Sequence, residues 1–253
     1  KLEYPPVALS YGEKVLQSDK GDTIVPIALG TYGNLSVITA PPKTKKTFFV
    51  SLLASAFLSG KNIYSGQIKG HRGNGDLIHF DTEQGNWHAS KVFKRPLDMD
   101  SSIKEDKYHT FALRTVGFKE RLEFIEYYLK EKIKEPSLVI IDGVADLCGD
   151  VNNIEQSNNL VSALMRISTQ CNVHIICVIH QNYGSQKLGT GHLGSALEKK
   201  AETVISLEAN TVNKDWITVK CGRSRGYSFE TFSFEVNKKG LPTIVGDLYD
   251  PLK

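Results

Sequence analysis

The sequence predicts an α/β fold in which helices flank a doubly wound, mainly parallel sheet, with an antiparallel extension at its C-terminal edge. Short apolar runs, most of them rich in Val and Ile, alternate with longer helical patterns, as expected of strands buried on both faces. After residue 209 the helical patterns stop, and strand-like stretches are separated by turns. The apolar runs that we assign to buried strands are residues 35–40, 77–81, 109–114, 137–142, 173–180 and 202–208.

Amphipathic patterns between these runs predict the crossover helices. In residues 119–133, apolar side chains recur every three or four positions from Leu122 to Ile133, with charged residues opposite. Residues 154–170 show the same spacing. Right-handed crossovers bring the carboxyl ends of parallel strands to one edge of the sheet, and ligands are expected at that edge.

Chain length and composition favour one large domain. The 253 residues have an ordinary apolar share, and no linker rich in Pro, Ser and Gly divides them. Residues 1–34 contain several Gly and Pro residues and are predicted to form an N-terminal arm or hairpin. Residues 35–253 are predicted to form the main domain.

Composition also bears on partners and location. The formal net charge of +3 is too small to indicate nucleic-acid binding by itself, so such contacts must come from local basic groups. The four cysteines lack metal-ligand and disulfide spacing, and we interpret them as buried thiols in a reducing cytosol. No apolar run reaches membrane-spanning length and no signal-peptide pattern is visible, so we expect a cytoplasmic protein without a membrane partner.

The stretch "ITAPPKTKKTFFVSL", residues 38–52, has the outline of a phosphate-binding P-loop. It follows a buried-type strand and precedes a helical pattern that ends at Gly60, which is the context that a P-loop requires. Ala40 and Lys45 replace the two glycines of the motif, and a lysine-rich turn before a core helix is the alternative interpretation. The predicted nucleotide-binding residues are Pro42, Lys43, Thr44, Lys45, Lys46 and Thr47.

Side chains of this loop and of one strand end have distinct predicted tasks. Lys46 would reach the β- and γ-phosphates of ATP, and the Thr47 hydroxyl would bind Mg²⁺. Asp142 ends the run "SLVIID" and would help to hold the metal ion. An aspartate that only opens a turn before glycine is the alternative for Asp142.

Two further strand ends carry polar residues. Asp81 and Glu83 follow one strand in "HFDTEQG", where a carboxylate could orient the attacking water. His180 ends another strand and could sense the γ-phosphate. Each group alone also fits a solvated loop, but together with the P-loop they indicate one ligand site at the carboxyl edge of the sheet.

In their order and spacing, these motifs resemble those of the RecA-like ATPases, particularly the hexameric replicative-helicase branch (DnaB and plasmid RepA-type) and RepA-like ATPases of bacterial mobile elements. The resemblance runs from "GNLSVITAPPKTKKT" through "DTEQG", "LVIIDGVADL", "IICVIHQN" and "GSALEKKAETVISLE" to "VKCGRSRG". It implies that residues 35–253 form a RecA-like P-loop ATPase domain. It also implies that Glu83 is the catalytic glutamate and that His180 reports the γ-phosphate.

The same resemblance implies roles outside the P-loop. "GRSRG" is similar to the late basic motif that supplies fingers to a neighbour's nucleotide, which corresponds to Arg223 and Arg225. We expect these two residues at the tip of a hairpin, between a strand that ends near Lys220 and one that begins near Phe229. In RecA-like proteins the region corresponding to 182–192 faces the central channel, so Lys187 is predicted to contact single-stranded DNA.

The preferred function is therefore an ATPase motor, helicase or loader that acts on DNA in replication or mobilisation of a mobile element. Self-association as a hexamer or filament, single-stranded DNA and other replication or mobilisation proteins are the expected partners, with ATP and Mg²⁺ as cofactors. The alternative is a regulatory module that binds nucleotide through its degenerate loop with little hydrolysis. A small-molecule P-loop kinase is a weaker third.

Overall fold

The computed structural model of the chain describes residues 3–19, 21–60, 62–63, 67–181 and 189–245. The α-helices in these ranges are α1 (Lys46–Ser59), α2 (Asn86–Met99), α3 (Phe118–Tyr127), α4 (Ile154–Gln170) and α5 (Gly191–Lys200). The strands are β1 (Val7–Leu16), β2 (Thr23–Thr31), β3 (Leu35–Ala40), β4 (Asn62–Ile63), β5 (Ile68–Gly70), β6 (Asp76–Asp81), β7 (Tyr108–Ala112), β8 (Pro136–Asp142), β9 (His174–His180), β10 (Thr203–Ala209), β11 (Ile217–Ser224), β12 (Phe232–Val236) and β13 (Pro242–Ile244).

The main sheet has the strand order β13-β12-β11-β10-β3-β9-β8-β6-β7. All neighbours from β10 to β7 are parallel, and β11, β12 and β13 add to the β10 side as antiparallel strands. The predicted fold class, a mainly parallel doubly wound sheet with an antiparallel C-terminal edge, is confirmed. Helices cover both faces because the central strands are apolar on both sides.

Each face of the sheet has its own hydrophobic core. On one face α1 is buried almost all round, and α2 and the strands β1 and β2 pack on the same side. On the other face lie α3, α4 and α5. The ends of two helices follow from their sequence: Gly60 closes α1 with a left-handed φ of 61°, and the Asn153 side chain accepts a hydrogen bond from the Gln156 amide at the start of α4.

Parallel pairing brings four strand ends to one edge of the sheet. Ala40, the last residue of β3, lies opposite His180 of β9. Asp142 of β8 lies opposite Asp81 of β6 and next to Val178 of β9. The loops that leave β3, β6, β8 and β9 therefore meet at the carboxyl edge, which is where the ligand site was predicted.

A second, four-stranded sheet has the order β2-β1-β5-β4. Its strands β1 and β2 form an antiparallel hairpin within residues 1–34, here called the N-terminal hairpin (Val7–Thr31). β5 lies directly against α1, because a Cβ at Gly70 would stand 2.3 Å from the Ala56 carbonyl oxygen. The proposed domain boundary at residue 34 stays a prediction.

Several local expectations are corrected. The helix predicted for 119–133 ends as α3 at Tyr127 and continues as a π-helical turn, Tyr128–Lys132. β11 runs on to Ser224 and β12 begins only at Phe232, since pairing with β10 extends the strand beyond Lys220. Of the four cysteines, Cys177 is buried and the other three are half-buried.

None of the helices in the described ranges combines the length and apolar character needed to cross a bilayer.

Candidate functional site

An open cleft of about 460 Å³ lies at the carboxyl edge of the main sheet. Its walls come from the loop after β3, the first turn of α1 and the ends of β6, β8 and β9. The lining residues are Lys43, Thr44, Lys45, Lys46, Thr47, Phe48, Glu83, Gln84, Asp142 and His180. The cleft therefore combines a helix N-terminus and three lysines with two carboxylates, a set suited to an anionic ligand that carries a cation.

The loop after β3 has a P-loop-like backbone without the glycines. Lys45, at the second glycine position, is left-handed with φ 55° and ψ 34°, and Lys43 has φ 66°. For an L-residue each such angle costs roughly 1–2 kcal/mol. Ala40, at the first glycine position, has no left-handed angle, and the Thr44 hydroxyl donates a hydrogen bond to the Pro41 carbonyl across the turn. Of the two positions that lack glycine, only Lys45 therefore adopts a backbone angle that glycine would favour.

The three lysines of the loop point to different places. Lys46 is buried at the start of α1, and its Nζ lies 2.9 Å from His180 Nδ1. Burial lowers the Lys46 pKa, and the charges of Asp142 and Glu83 oppose that shift. Lys45 Nζ instead donates to the Asp215 carbonyl at 2.9 Å, while Lys43 is exposed. Lys46 is therefore the lysine placed deepest in the cleft.

His180 links Lys46 to Glu83. An ammonium group only donates hydrogen bonds, so His180 Nδ1 accepts from Lys46, and the proton of the neutral ring is on Nε2. That Nε2 lies 3.5 Å from Glu83 Oε2. The interaction with His180 lowers the Glu83 pKa against the opposing effect of burial, so Glu83 stays ionised at neutral pH. Lys46, His180 and Glu83 therefore form one continuous series of polar contacts across the cleft.

Asp142 forms the floor of the cleft. It is 3% exposed, and its Oδ2 has no hydrogen-bond partner among the described residues. Burial, reinforced by the negative charges of Asp81 and Glu83, raises the Asp142 pKa to about 7. An unsatisfied buried carboxylate oxygen in the cleft that Thr47 also lines fits the oxygen ligands that Mg²⁺ prefers.

Asp81, considered with Glu83 as a candidate carboxylate, is turned away from the cleft. Its Oδ1 accepts hydrogen bonds from the amides of Glu83 and Gln84, and its Oδ2 accepts from the Gln84 side chain. Burial raises its pKa, and the backbone hydrogen bonds counteract part of that rise. Asp81 thus shapes the turn that carries Glu83.

Most of the predicted site residues meet in the cleft, but three do not. Pro42 is half-buried and does not line it. Arg223 pairs with Val204 near the start of β10, at the amino edge of the sheet, and Arg225 lies just beyond. Both arginines are exposed and lie on the opposite edge from Lys46. Arg223 lies within β11 and not at a hairpin tip, whereas Arg225 begins the connection between the antiparallel strands β11 and β12. Lys187 lies outside the described residues.

Sequence reasoning missed two contributors to the cleft. Phe48, in the first turn of α1, lies under the Arg95 guanidinium, whose centre is 3.9 Å from the ring. Arg95 also donates to the Thr47 carbonyl at 3.2 Å, so α2 supports the loop end of α1. Gln84 lines the opposite wall. A local pattern gives no signal for a contact between residues 47 and 95, which only the packing of α1 on α2 creates.

A family model described as an AAA domain matches residues 29–186, well over half of the chain. The chain belongs to the AAA domain family. Two solved structures share the fold of this AAA-domain protein. The first is the ATPase domain of another protein, with 16% identity and a TM-score of 0.60, and the match covers 83% of this chain and 84% of that one. The second, the RadB recombinase, has 15% identity and a TM-score of 0.56, with 83% and 90% covered.

No curated protein sequence matches this AAA-domain protein. The predicted RecA-like fold is confirmed by the family match and by the shared fold of these two structures.

Proposed function

We propose that this AAA-domain protein binds ATP with Mg²⁺ in the cleft, hydrolyses it, and works as a motor, helicase or loader on DNA in replication or mobilisation of a mobile element. Residues 35–253 would form the ATPase domain and residues 1–34 an N-terminal arm. The observation that carries the proposal is the series of side-chain contacts from Lys46 through His180 to Glu83, in the cleft that the buried Asp142 also lines.

A task is proposed for each of the main side chains of the cleft. The helix N-terminus and Lys46 would hold the phosphates, and the terminal phosphate would replace His180 as the partner of Lys46. His180 Nε2 would keep Glu83 oriented, and the ionised Glu83 would position the attacking water. Thr47 and Asp142 would hold Mg²⁺, which when bound neutralises charge on the phosphates.

A regulatory module that binds nucleotide with little turnover is the second candidate. Two lysines held in left-handed conformations, with the Lys45 side chain drawn to Asp215, favour it. Such a loop has less backbone freedom than a glycine loop to follow the phosphates as their charge redistributes. The first candidate fits the Glu83–His180 pair better, since binding alone needs no ionised carboxylate at that point.

Single-stranded DNA and self-association complete the proposal. Lys187 would contact the DNA backbone, and Arg223 and Arg225 would act on the nucleotide of a neighbouring subunit. Their place at the amino edge supports action in trans, because β11 carries them away from the cleft of their own subunit.

Nucleotide binding and steady-state ATPase activity, measured with and without single-stranded DNA, test the proposal. Lys46→Ala should weaken ATP binding severely, because the deepest phosphate-binding charge is removed. Glu83→Gln should keep ATP binding and slow hydrolysis by roughly 100-fold or more, within the usual range for a general base. Lys94→Ala on the exposed face of α2 is the matched control and should leave both unchanged.

Three outcomes decide between the candidates. DNA-stimulated turnover that Glu83→Gln abolishes supports the motor. Tight binding with no turnover in any condition supports the regulatory module. Unchanged ATP affinity in Lys46→Ala would contradict both.

A further inference from the structure

The segment from Arg223 to Phe229, here called the basic segment, begins just after a β-bulge in β11 and leaves the main sheet after Ser224. Val204 and Ile205 of β10 pair with Arg223 and Cys221, so Gly222 is the extra residue between them. A bulge bends the strand and redirects the residues that follow it. Residues 225–231 form neither helix nor strand, so the position of the basic segment depends on contacts other than sheet pairing.

Arg225 is tied to the end of α5 and the start of β10. Its backbone N–H donates to the Glu202 carbonyl at 2.9 Å, and its Nη2 donates to the Lys200 carbonyl at 3.2 Å. To reach a neighbouring subunit the guanidinium must leave Lys200, while the bond to Glu202 can keep the backbone in place.

The N-terminal hairpin contacts the basic segment through a lysine and an aromatic side chain. Lys14 Nζ lies 4.1 Å from the centre of the Tyr227 ring, a cation–π contact. Tyr11 stacks on Phe232, which follows the segment, with ring centres 4.1 Å apart. Its edge also meets Phe229 at 5.9 Å. Hairpin side chains therefore contact Tyr227 and Phe229 within the stretch that lacks regular structure, and Phe232 at the start of the strand that follows it.

Glu202 joins the hairpin to Arg225. The last residue of β2, Thr31, donates its backbone N–H to Glu202 Oε2 at 2.8 Å and its hydroxyl to the same carboxylate at 2.9 Å. The buried His174 fixes Thr31 further through a 2.9 Å contact between Nδ1 and the Thr31 carbonyl. The side chain of Glu202 thus holds the hairpin, and its backbone carbonyl holds Arg225.

We infer that the N-terminal hairpin is a positioning element for the two arginines: it fixes the basic segment so that Arg223 and Arg225 are presented to the nucleotide of a neighbouring subunit. The inference rests on the proposed function. The hairpin contacts described above involve Glu202, Tyr227, Phe229 and Phe232, and none of these four residues lines the cleft of the same subunit. Loosening it should therefore impair a subunit as the donor of arginines and spare the same subunit as the owner of a cleft.

Mixtures of variant subunits test separately whether a subunit can donate arginines and whether its own cleft can work. The loosened variant is Thr31→Val with Lys14→Met, which removes the hydroxyl bonds to Glu202 and the cation over Tyr227 at nearly constant shape. The matched control is Thr31→Ser with Lys14→Arg, which keeps both interactions. If the double variant does not fold, Lys14→Met alone changes only an exposed side chain and takes its place.

In the first mixture the loosened chain also carries Lys46→Ala and is mixed with Arg225→Ala, so it can supply only arginines. In the second it carries Arg225→Ala and is mixed with Lys46→Ala, so it supplies only a cleft. We expect ATP turnover in the first mixture to fall about tenfold or more, since small misplacements of a reacting group have effects of that size. The second mixture and both control mixtures should stay unchanged.

A third mixture combines Lys46→Ala chains with Arg225→Ala chains, neither of which carries a substitution in the hairpin. Its turnover distinguishes failure of the shared-site proposal from failure of the hairpin's positioning role. Absence of turnover in this mixture overturns the shared-site proposal, and the role of the hairpin with it. Turnover there, combined with equal turnover in the two loosened mixtures, overturns the positioning role alone.

Discussion

Asp142 shows how a single residue couples the site to stability. Its side chain is nearly inaccessible, and burial with the nearby charges of Asp81 and Glu83 raises its pKa to about 7. A carboxyl group whose pKa is higher in the folded than in the unfolded state favours folding below its unfolded pKa of about 4. That contribution is lost progressively as the pH rises through 7, where the buried group must carry a charge.

Asp142→Asn should therefore stabilise the metal-free and nucleotide-free protein more at pH 8 than at pH 5. The gain at pH 8 is on the order of 1–4 kcal/mol, because about three pKa units at about 1.4 kcal/mol each set the ceiling. Thermal unfolding in the presence of a chelator at the two pH values measures it. Asp98→Asn, on the exposed face of α2, is the control. An equal effect at both pH values would contradict the role of the buried charge.

At the scale of elements, the loop between β3 and α1 keeps a P-loop shape that its residues do not favour. Lys45 holds the left-handed angle where the motif has glycine, and its side chain reaches the Asp215 carbonyl in the loop before β11. That bond connects the P-loop to the antiparallel edge of the sheet. The loop shape thus relies on a tertiary contact rather than on glycine.

Lys45→Gly should change the free energy of unfolding by less than about 1 kcal/mol, because relief of the left-handed angle offsets the greater entropy of the unfolded glycine chain. Lys45→Val is the matched comparison and should destabilise by about 2 kcal/mol or more, since a branched side chain tolerates this angle poorly. Chemical denaturation measures both. Equal destabilisation by Gly and Val would show that the Asp215 contact, and not the backbone angle, dominates at this position.

At the scale of the whole molecule, the cleft and the basic segment lie at opposite edges of one sheet. Arg223 is level with the first half of β3, since its partner Val204 pairs with Val37, whereas the P-loop begins after Ala40. About 10 Å of strand and two strand spacings of about 4.8 Å each separate the two features. If arginines complete the nucleotide site, they must come from another copy of the chain.

Specific ATPase activity should therefore rise with protein concentration and level off once assembly is complete. A change of about 10³ or more is within the range of an arginine supplied in trans. Activity assays over a dilution series, paired with sedimentation at the same concentrations, measure the effect. Arg225→Ala should assemble normally and stay at the dilute level of activity throughout. Full activity in a monomer would contradict the shared site.

Local patterns in the sequence predicted the six parallel strands, the helices α1, α3 and α4, the antiparallel edge and the cluster of polar strand ends, because buried parallel strands and a P-loop context are patterns of apolar spacing and residue type. The contact between Lys46 and His180 depends on the folded arrangement, since β9 lies next to β3 although 134 positions separate the two residues. The folded arrangement also placed Arg223 in a bulged strand at the far edge, where the local sequence predicted a hairpin tip, because β10 extends β11 by pairing. Such long-range neighbours depend on strand order and register, which no short stretch of sequence encodes.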